Sequence, residues 1–314
     1  MTAQPQLARL PWDGGGSAAP AGRSKSPAEA AGRLLAGYSI EITGSDRAVA
    51  EACDAGLPVG TEVFIAFVPG ESHDRVVDAA RQVGRKGLTP VPHIVARAFE
   101  NEAMLDRLLG RFADEGGVRS ALVIAGDRAQ PDGPFHASVQ LVETGLFEKH
   151  GITQLAFALH PESHPRVDDA TLRDALTAKL AAARAHGLQT RLVSQFSLDA
   201  APILPRLIAT AGEAPATGVR IGVAGPTSAK TLWKYALYCG IGNSLKALHS
   251  HGETLAHLSR DNHPEKILGE IAMALERNAV PAAPVQGVHI FTFGGVAKSV
   301  AWADQLVADA RAQR

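Results

Sequence analysis

TRLVSQFSLD, residues 190–199, decides how the chain is read. Leu192 and Val193 have the β-branched and apolar character of a strand buried in a core. The run then delivers an amide, Gln195, and a carboxylate, Asp199, before a helical pattern begins. Polar groups at the end of a buried strand either solvate a loop or form the floor of a ligand site, and the repetition of the pattern decides between the two.

The same pattern recurs along the chain: YSIEIT from 38, EVFIAFV from 62, TPVPHIVA from 89, SALVIAGD from 120, TQLAFALH from 153, GVRIGVAG from 218 and GVHIFTFG from 287. Between these runs lies text of helical period, such as SHDRVVDAARQVGRKG, and VAKSVAWADQLVADARAQR follows the last one. Eight strand–helix units predict an α/β fold of the (β/α)8 barrel type from residue 34 to 314, with a doubly wound open sheet as the alternative. The long gap before the eighth strand predicts a helical excursion over roughly residues 243–280. Residues 1–33, rich in Gly, Ala, Ser and Pro without an apolar period, read as a mobile, disordered leader.

Composition narrows the function classes. Lys plus Arg number 31 against 32 Asp plus Glu, so no bulk charge draws the chain to nucleic acid or an anionic membrane. Two isolated cysteines, and no long apolar run or signal-type segment, point to a reducing, cytoplasmic setting, with a homo-oligomer left open.

In a barrel of this kind the carboxyl ends of the strands build the site. Those ends carry Glu41, His93, Gly126 with Asp127, His160 with Glu162 and His164, Gln195, and the turn holding Thr227. Glu41 between Ile40 and Ile42 is an ionisable group that needs a reason to be there, and burial is expected to raise its pKa. His93 after Pro92 reads equally as a core histidine. HPESHP, residues 160–165, reads equally as a rigid solvated turn. GVAGPTSAKT lacks the glycines of a phosphate loop, and His249, His251, His257 and His263 match no metal-ligand spacing, so no metal is expected.

Taken in order, SIE (39–41), PHI (92–94), GD (126–127), HPESHP (160–165), SQF with Asp199, and HIFT (289–292) resemble the methylenetetrahydrofolate reductase family in a divergent, barrel-only form. The resemblance implies a flavoprotein oxidoreductase of one-carbon metabolism and methionine biosynthesis. It would interconvert 5,10-methylenetetrahydrofolate and 5-methyltetrahydrofolate with NAD(P)H. Carried over, Glu41 is the general acid that protonates N10, and Asp127 is a second catalytic group that also holds the pterin. Gln195 and Thr227 bind substrate, while His93, Gly126, His160, Glu162 and His164 line the cofactor site. The sequence departs from the family pattern at Ala125, where the family has arginine, and at His160, where it has tyrosine. Bound FAD and direct transfer from NAD(P)H to folate therefore stand as alternatives. So do the same site run oxidatively and a non-catalytic folate- or flavin-binding subunit.

Overall fold

The computed structural model describes residues 24–162, 164, 166–214, 217–239, 241, 264–277 and 285–313. Eight parallel strands, β1 (Ser39–Thr43), β2 (Glu62–Ala66), β3 (Thr89–Val95), β4 (Ser120–Ile124), β5 (Gln154–Leu159), β6 (Gln189–Ser194), β7 (Gly218–Ala224) and β8 (Val285–Phe291), close into a barrel in chain order. The described helices are α1 (Pro27–Leu35), α2 (Asp46–Asp54), α3 (His73–Arg85), α4 (Glu102–Gly116), α5 (Ser138–Glu143), α6 (Leu146–Lys149), α7 (Asp169–Ala185), α8 (Ile203–Glu213), α9 (Ala229–Tyr238), α10 (Glu265–Glu276) and α11 (Val296–Ala312). The fold is a (β/α)8 barrel, as the strand rhythm predicts.

Local chemistry explains the alternation. Ser45, Ser72, Asn101, Asp168 and Ser228 each accept a backbone N–H with the side chain, starting a helix just after a strand-end loop. Each strand turns one side-chain row towards the helices, where Ile40, Ile65, Ile94, Val123, Leu155, Leu192, Val219 and Ile290 form the main core. The other row fills the barrel, with Phe64, Val91, Leu122, Ala156 and Val193 as its apolar middle. Gly222 is required there, because a Cβ would stand 2.0 Å from the Ser194 carbonyl oxygen. At the amino end of the strands Glu62 is paired to Arg191 and, at 3.1 Å, to Arg220, which closes the base of the barrel with buried charge.

The leader expectation is corrected at its boundary. Residues 27–33 belong to α1, which packs on α10 and α11 with Ala30, Ala31 and Leu35 buried. Ser26 caps the helix, Pro27 occupies its first turn, and Glu29 accepts the Lys25 N–H at 2.6 Å. Residues 1–23 lie outside the described residues. Within the expected excursion, α10 is helical, whereas residues 242–263 and 278–284, with all four histidines of that stretch, also lie outside. No helix among the described residues is long and apolar enough to cross a membrane.

Candidate active site

A cavity of about 1010 Å³ opens at the carboxyl ends of the strands. Its floor is set by register. Glu41 pairs with Phe64 on one side and Phe291 on the other, so its side chain shares the inward row of both neighbours. Two residues before Phe291, His289 lies in the same row and is fully buried. His93 enters from β3.

These three side chains meet. Glu41 Oε2 lies 3.3 Å from His93 Nε2 and 3.6 Å from His289 Nε2. Both imidazole nitrogens are buried, and neither makes a well-aligned hydrogen bond, so the contacts act mainly through charge and dipole. Burial alone would raise the Glu41 pKa, and it is the largest single influence. His289 and His93 together outweigh it and hold the carboxyl at about 2. The expectation of a raised pKa is thus corrected: a carboxylate in a dry strand does move upward, but here two imidazoles reverse the sign. Burial pushes the His289 imidazole down, with Arg220 and His93 adding to the effect and Glu41 opposing it.

The remaining sequence candidates separate by position. Gln195 lines the cavity, and its Oε1 accepts the Phe196 N–H at 3.0 Å, which leaves its amide NH2 to face a ligand. Asp127 also lines the cavity, but on its rim, with a side chain 65% exposed and paired to Arg166. Gly126 before it has φ +92, and a Cβ there would stand 2.4 Å from Val95 Cγ1, so only glycine fits the turn. His160 and His164 line the cavity and meet edge to face at 5.1 Å. Burial lowers the His160 pKa to about 4, with His164, Lys179 and Arg206 adding to the effect.

Two candidates stand away from the cavity wall. Glu162 accepts a hydrogen bond from Ser197 Oγ at 2.9 Å, tying the loop after β5 to the loop after β6. Thr227 sits in the turn before Ser228, whose hydroxyl caps α9. Both lie just beyond strand ends, and Glu162 faces the neighbouring loop rather than the cavity. Strand-end position alone does not tell a loop brace from a wall residue.

Some groups of the site are not among those the sequence singles out: His289, fully buried beside Glu41, and the wall residues Lys179, Phe293, Tyr235 and Cys239. His289 had a signal: it alternates with Phe291 in a strand, which places it inside the barrel. Lys179 lies on α7, where helical period marks a buried face but not what the face meets. Its Nζ stands 5.2 Å over the Phe157 ring, and burial lowers its pKa to about 8. Phe293 and Tyr235 stack at 4.4 Å between ring centroids and form an aromatic wall, with Phe293 holding φ +48. Cys239 lines the same wall, and burial, helped by the Glu41 and Asp127 charges, pushes its thiol up to about 12.

The nucleotide that the resemblance implies would meet cationic and aromatic side chains here. Lys179, Arg206 and Arg173 line the cavity with positive charge, and Phe293 and Tyr235 offer flat aromatic faces to it. Lys179 and the neighbouring His160 would hold its phosphates.

No protein-family model matches the sequence. Among solved structures, a dihydropteroate synthase from Thermus thermophilus is similar over 88% of this chain and 93% of its own, at 14% identity and TM-score 0.46. A GH18 chitinase from Pseudoalteromonas aurantia matches over 84% of this chain and 99% of its own, at 9% identity and TM-score 0.48.

Proposed function

We propose that the chain is a folate oxidoreductase that interconverts 5,10-methylenetetrahydrofolate and 5-methyltetrahydrofolate with NAD(P)H. The observation that carries this reading is the meeting of Glu41, His93 and His289 at the floor of a cavity that also presents the Gln195 amide. Reduction of the methylene bridge needs a proton at N10 as the five-membered ring opens, and then a hydride at the exposed carbon. The nucleotide, whether FAD or NAD(P)H itself, supplies the hydride when bound.

The chain's own residues do the rest. The free NH2 of Gln195 donates to an acceptor on the pterin edge, orienting the ring. The Glu41, His93 and His289 cluster holds the proton near N10. Because Glu41 is ionised in the resting site, the acid is the cluster after uptake of one proton, shared between Oε2 and an imidazole, and not an isolated carboxylic acid. Asp127, on the rim, reaches the ligand only if Arg166 releases it, so its part is binding at the entrance and not proton transfer.

The test is anaerobic assay of purified protein with methylenetetrahydrofolate and NADH or NADPH, following nucleotide oxidation and methyltetrahydrofolate formation. Turnover is expected with at least one nucleotide. No turnover in either direction, with a folded protein, overturns the reading.

A further inference from the structure

Ser39 takes no direct part in the site, yet it is fully buried on β1, two residues before Glu41 and paired in register with His289. It has two polar neighbours. His289 Nδ1 lies 2.9 Å from Ser39 Oγ, and the Val288 carbonyl oxygen lies at 3.5 Å, the limit of a hydrogen bond. The hydroxyl carries one hydrogen and must choose between them.

We propose that Ser39 is a positioning residue that donates to His289 Nδ1 and so fixes the neutral imidazole with its hydrogen on Nε2, directed at Glu41. The 2.9 Å contact can form with either atom as donor, but if Nδ1 donates, the hydroxyl hydrogen is left with only the Val288 carbonyl, and the contact to Glu41 decides the tautomer. Donation to Nδ1 at 2.9 Å makes a good bond, whereas donation to Val288 at 3.5 Å makes a poor one. At the other side of the ring, Nε2 faces Glu41 Oε2 at 3.6 Å. A hydrogen on Nδ1 would leave an Nε2 lone pair pointed at the lone pairs of Glu41 Oε2, with no protein donor between them. With the hydrogen on Nε2, its dipole faces the charge.

The consequence is electrostatic control of the candidate acid from outside the cavity. Ser39 sets which ring nitrogen carries hydrogen, that nitrogen favours the ionised Glu41, and the ionised Glu41 is the form that must take up a proton before it can give one. Other groups act on the same pair. His93 approaches Glu41 from β3, Arg220 from β7 bears on His289, and Cys239 beyond α9 lies within the field of Glu41. Phe64, from β2, packs on the His289 ring edge-on at 4.5 Å between centroids and fixes its plane without titrating. Among these, Ser39 alone contacts Nδ1.

The tautomer does not depend on the proposed reaction, but its catalytic consequence rests on that reading, and the two are tested apart. Long-range proton–nitrogen correlation spectra of nitrogen-15-histidine-labelled protein at neutral pH report which His289 nitrogen is protonated, with His289→Gln assigning the signals. The wild-type chain is expected to show Nε2 protonated, and Ser39→Ala a shift towards the other tautomer or a mixture. Ser39→Thr, which keeps the hydroxyl, is expected to restore the wild-type pattern. In turnover, Ser39→Ala should lower kcat/KM roughly tenfold, as one lost orienting hydrogen bond does, and move the alkaline limb of the pH profile, where the proton-donating cluster loses its proton, upward, both reversed by threonine. A wild-type spectrum with the hydrogen on Nδ1 overturns the proposal whether or not the variants fold. An unchanged tautomer in a folded Ser39→Ala protein overturns it as well. Protonated Nε2 in a protein without folate turnover supports the Ser39 assignment while removing the oxidoreductase reading.

Discussion

Replacing Glu41 with glutamine tests the reading at its centre. The substitution keeps the length and one acceptor oxygen of the side chain but removes its charge. The carboxyl is held at about 2 against an ordinary 4.5. Each pKa unit corresponds to about 1.4 kcal/mol, so the folded site favours the ionised form by about 3 kcal/mol, and partial contact with solvent reduces this to about 1–3. The sign follows from linkage: a depressed carboxyl pKa stabilises the fold above pH 4.5, and that stability is lost as pH falls through about 2. Glu41→Gln should therefore be less stable than the parent by about 1–3 kcal/mol at pH 7, as read by urea denaturation, with the gap closing in acid. Catalysis should suffer more. Loss of the proton source at N10 should slow the folate step roughly 10²- to 10⁴-fold in single-turnover measurements, while nucleotide binding stays near the parent's. A folate step within about threefold of the parent, in a folded variant, would sink the acid role and much of the functional proposal with it.

Other outcomes follow from the same geometry. Gln195→Ala should lower kcat/KM for methylenetetrahydrofolate by the equivalent of about 1–3 kcal/mol with little change in thermal midpoint, and an unchanged kcat/KM removes the residue from the site. Lys179→Met should weaken NADH binding about tenfold or more in a fluorescence titration, because one charge-assisted contact to phosphate is lost; equal affinity places the phosphates elsewhere. His160, whose pKa falls from 6.5 to about 4, makes the fold less stable as pH drops through that window, since the unfolded chain binds a proton that the folded one refuses. His160→Gln should recover about 1–3 kcal/mol at pH 4 relative to the parent, and denaturation curves at pH 4 and pH 7 check it. Deleting residues up to 35 should destabilise the barrel by at least about 3 kcal/mol, because Leu35, Ala30 and Ala31 leave the core; an unshifted urea midpoint would show that α1 contributes nothing.

The strands were legible because each carries its own apolar run and ends in polar text, a signal that needs no distant partner. Their observed bounds fall within about three residues of those drawn from sequence. Composition hides the α1 helix although Ser26-Pro27-Ala28-Glu29 spells a helix start, because the surrounding Gly and Ala mask its short amphipathic face. Within the site, convergence at the strand ends was readable and the charge state was not. The sign of the Glu41 shift depends on His289, which stands beside it only because β8 closes on β1, and no local window contains that contact. Glu162 and Thr227 lie just beyond the ends of β5 and β7, but the direction of a loop side chain depends on neighbours, as Ser197 does for Glu162, that sequence position does not reveal.

The ionic seal at the base of the barrel bears on how the protein can be divided. Glu62 comes from the first half of the chain, while Arg191 and Arg220 come from the second. Dehydrating those charges is favourable only when they meet, and they meet only after the ring has closed. A fragment ending after β4 would strand a carboxylate in a forming interior, and a fragment beginning at β5 would strand two guanidinium groups. This barrel is therefore poorly suited to being rebuilt from separately expressed halves or to donating a half to a chimera, unless Glu62 and both arginines are replaced together by apolar side chains of matching volume.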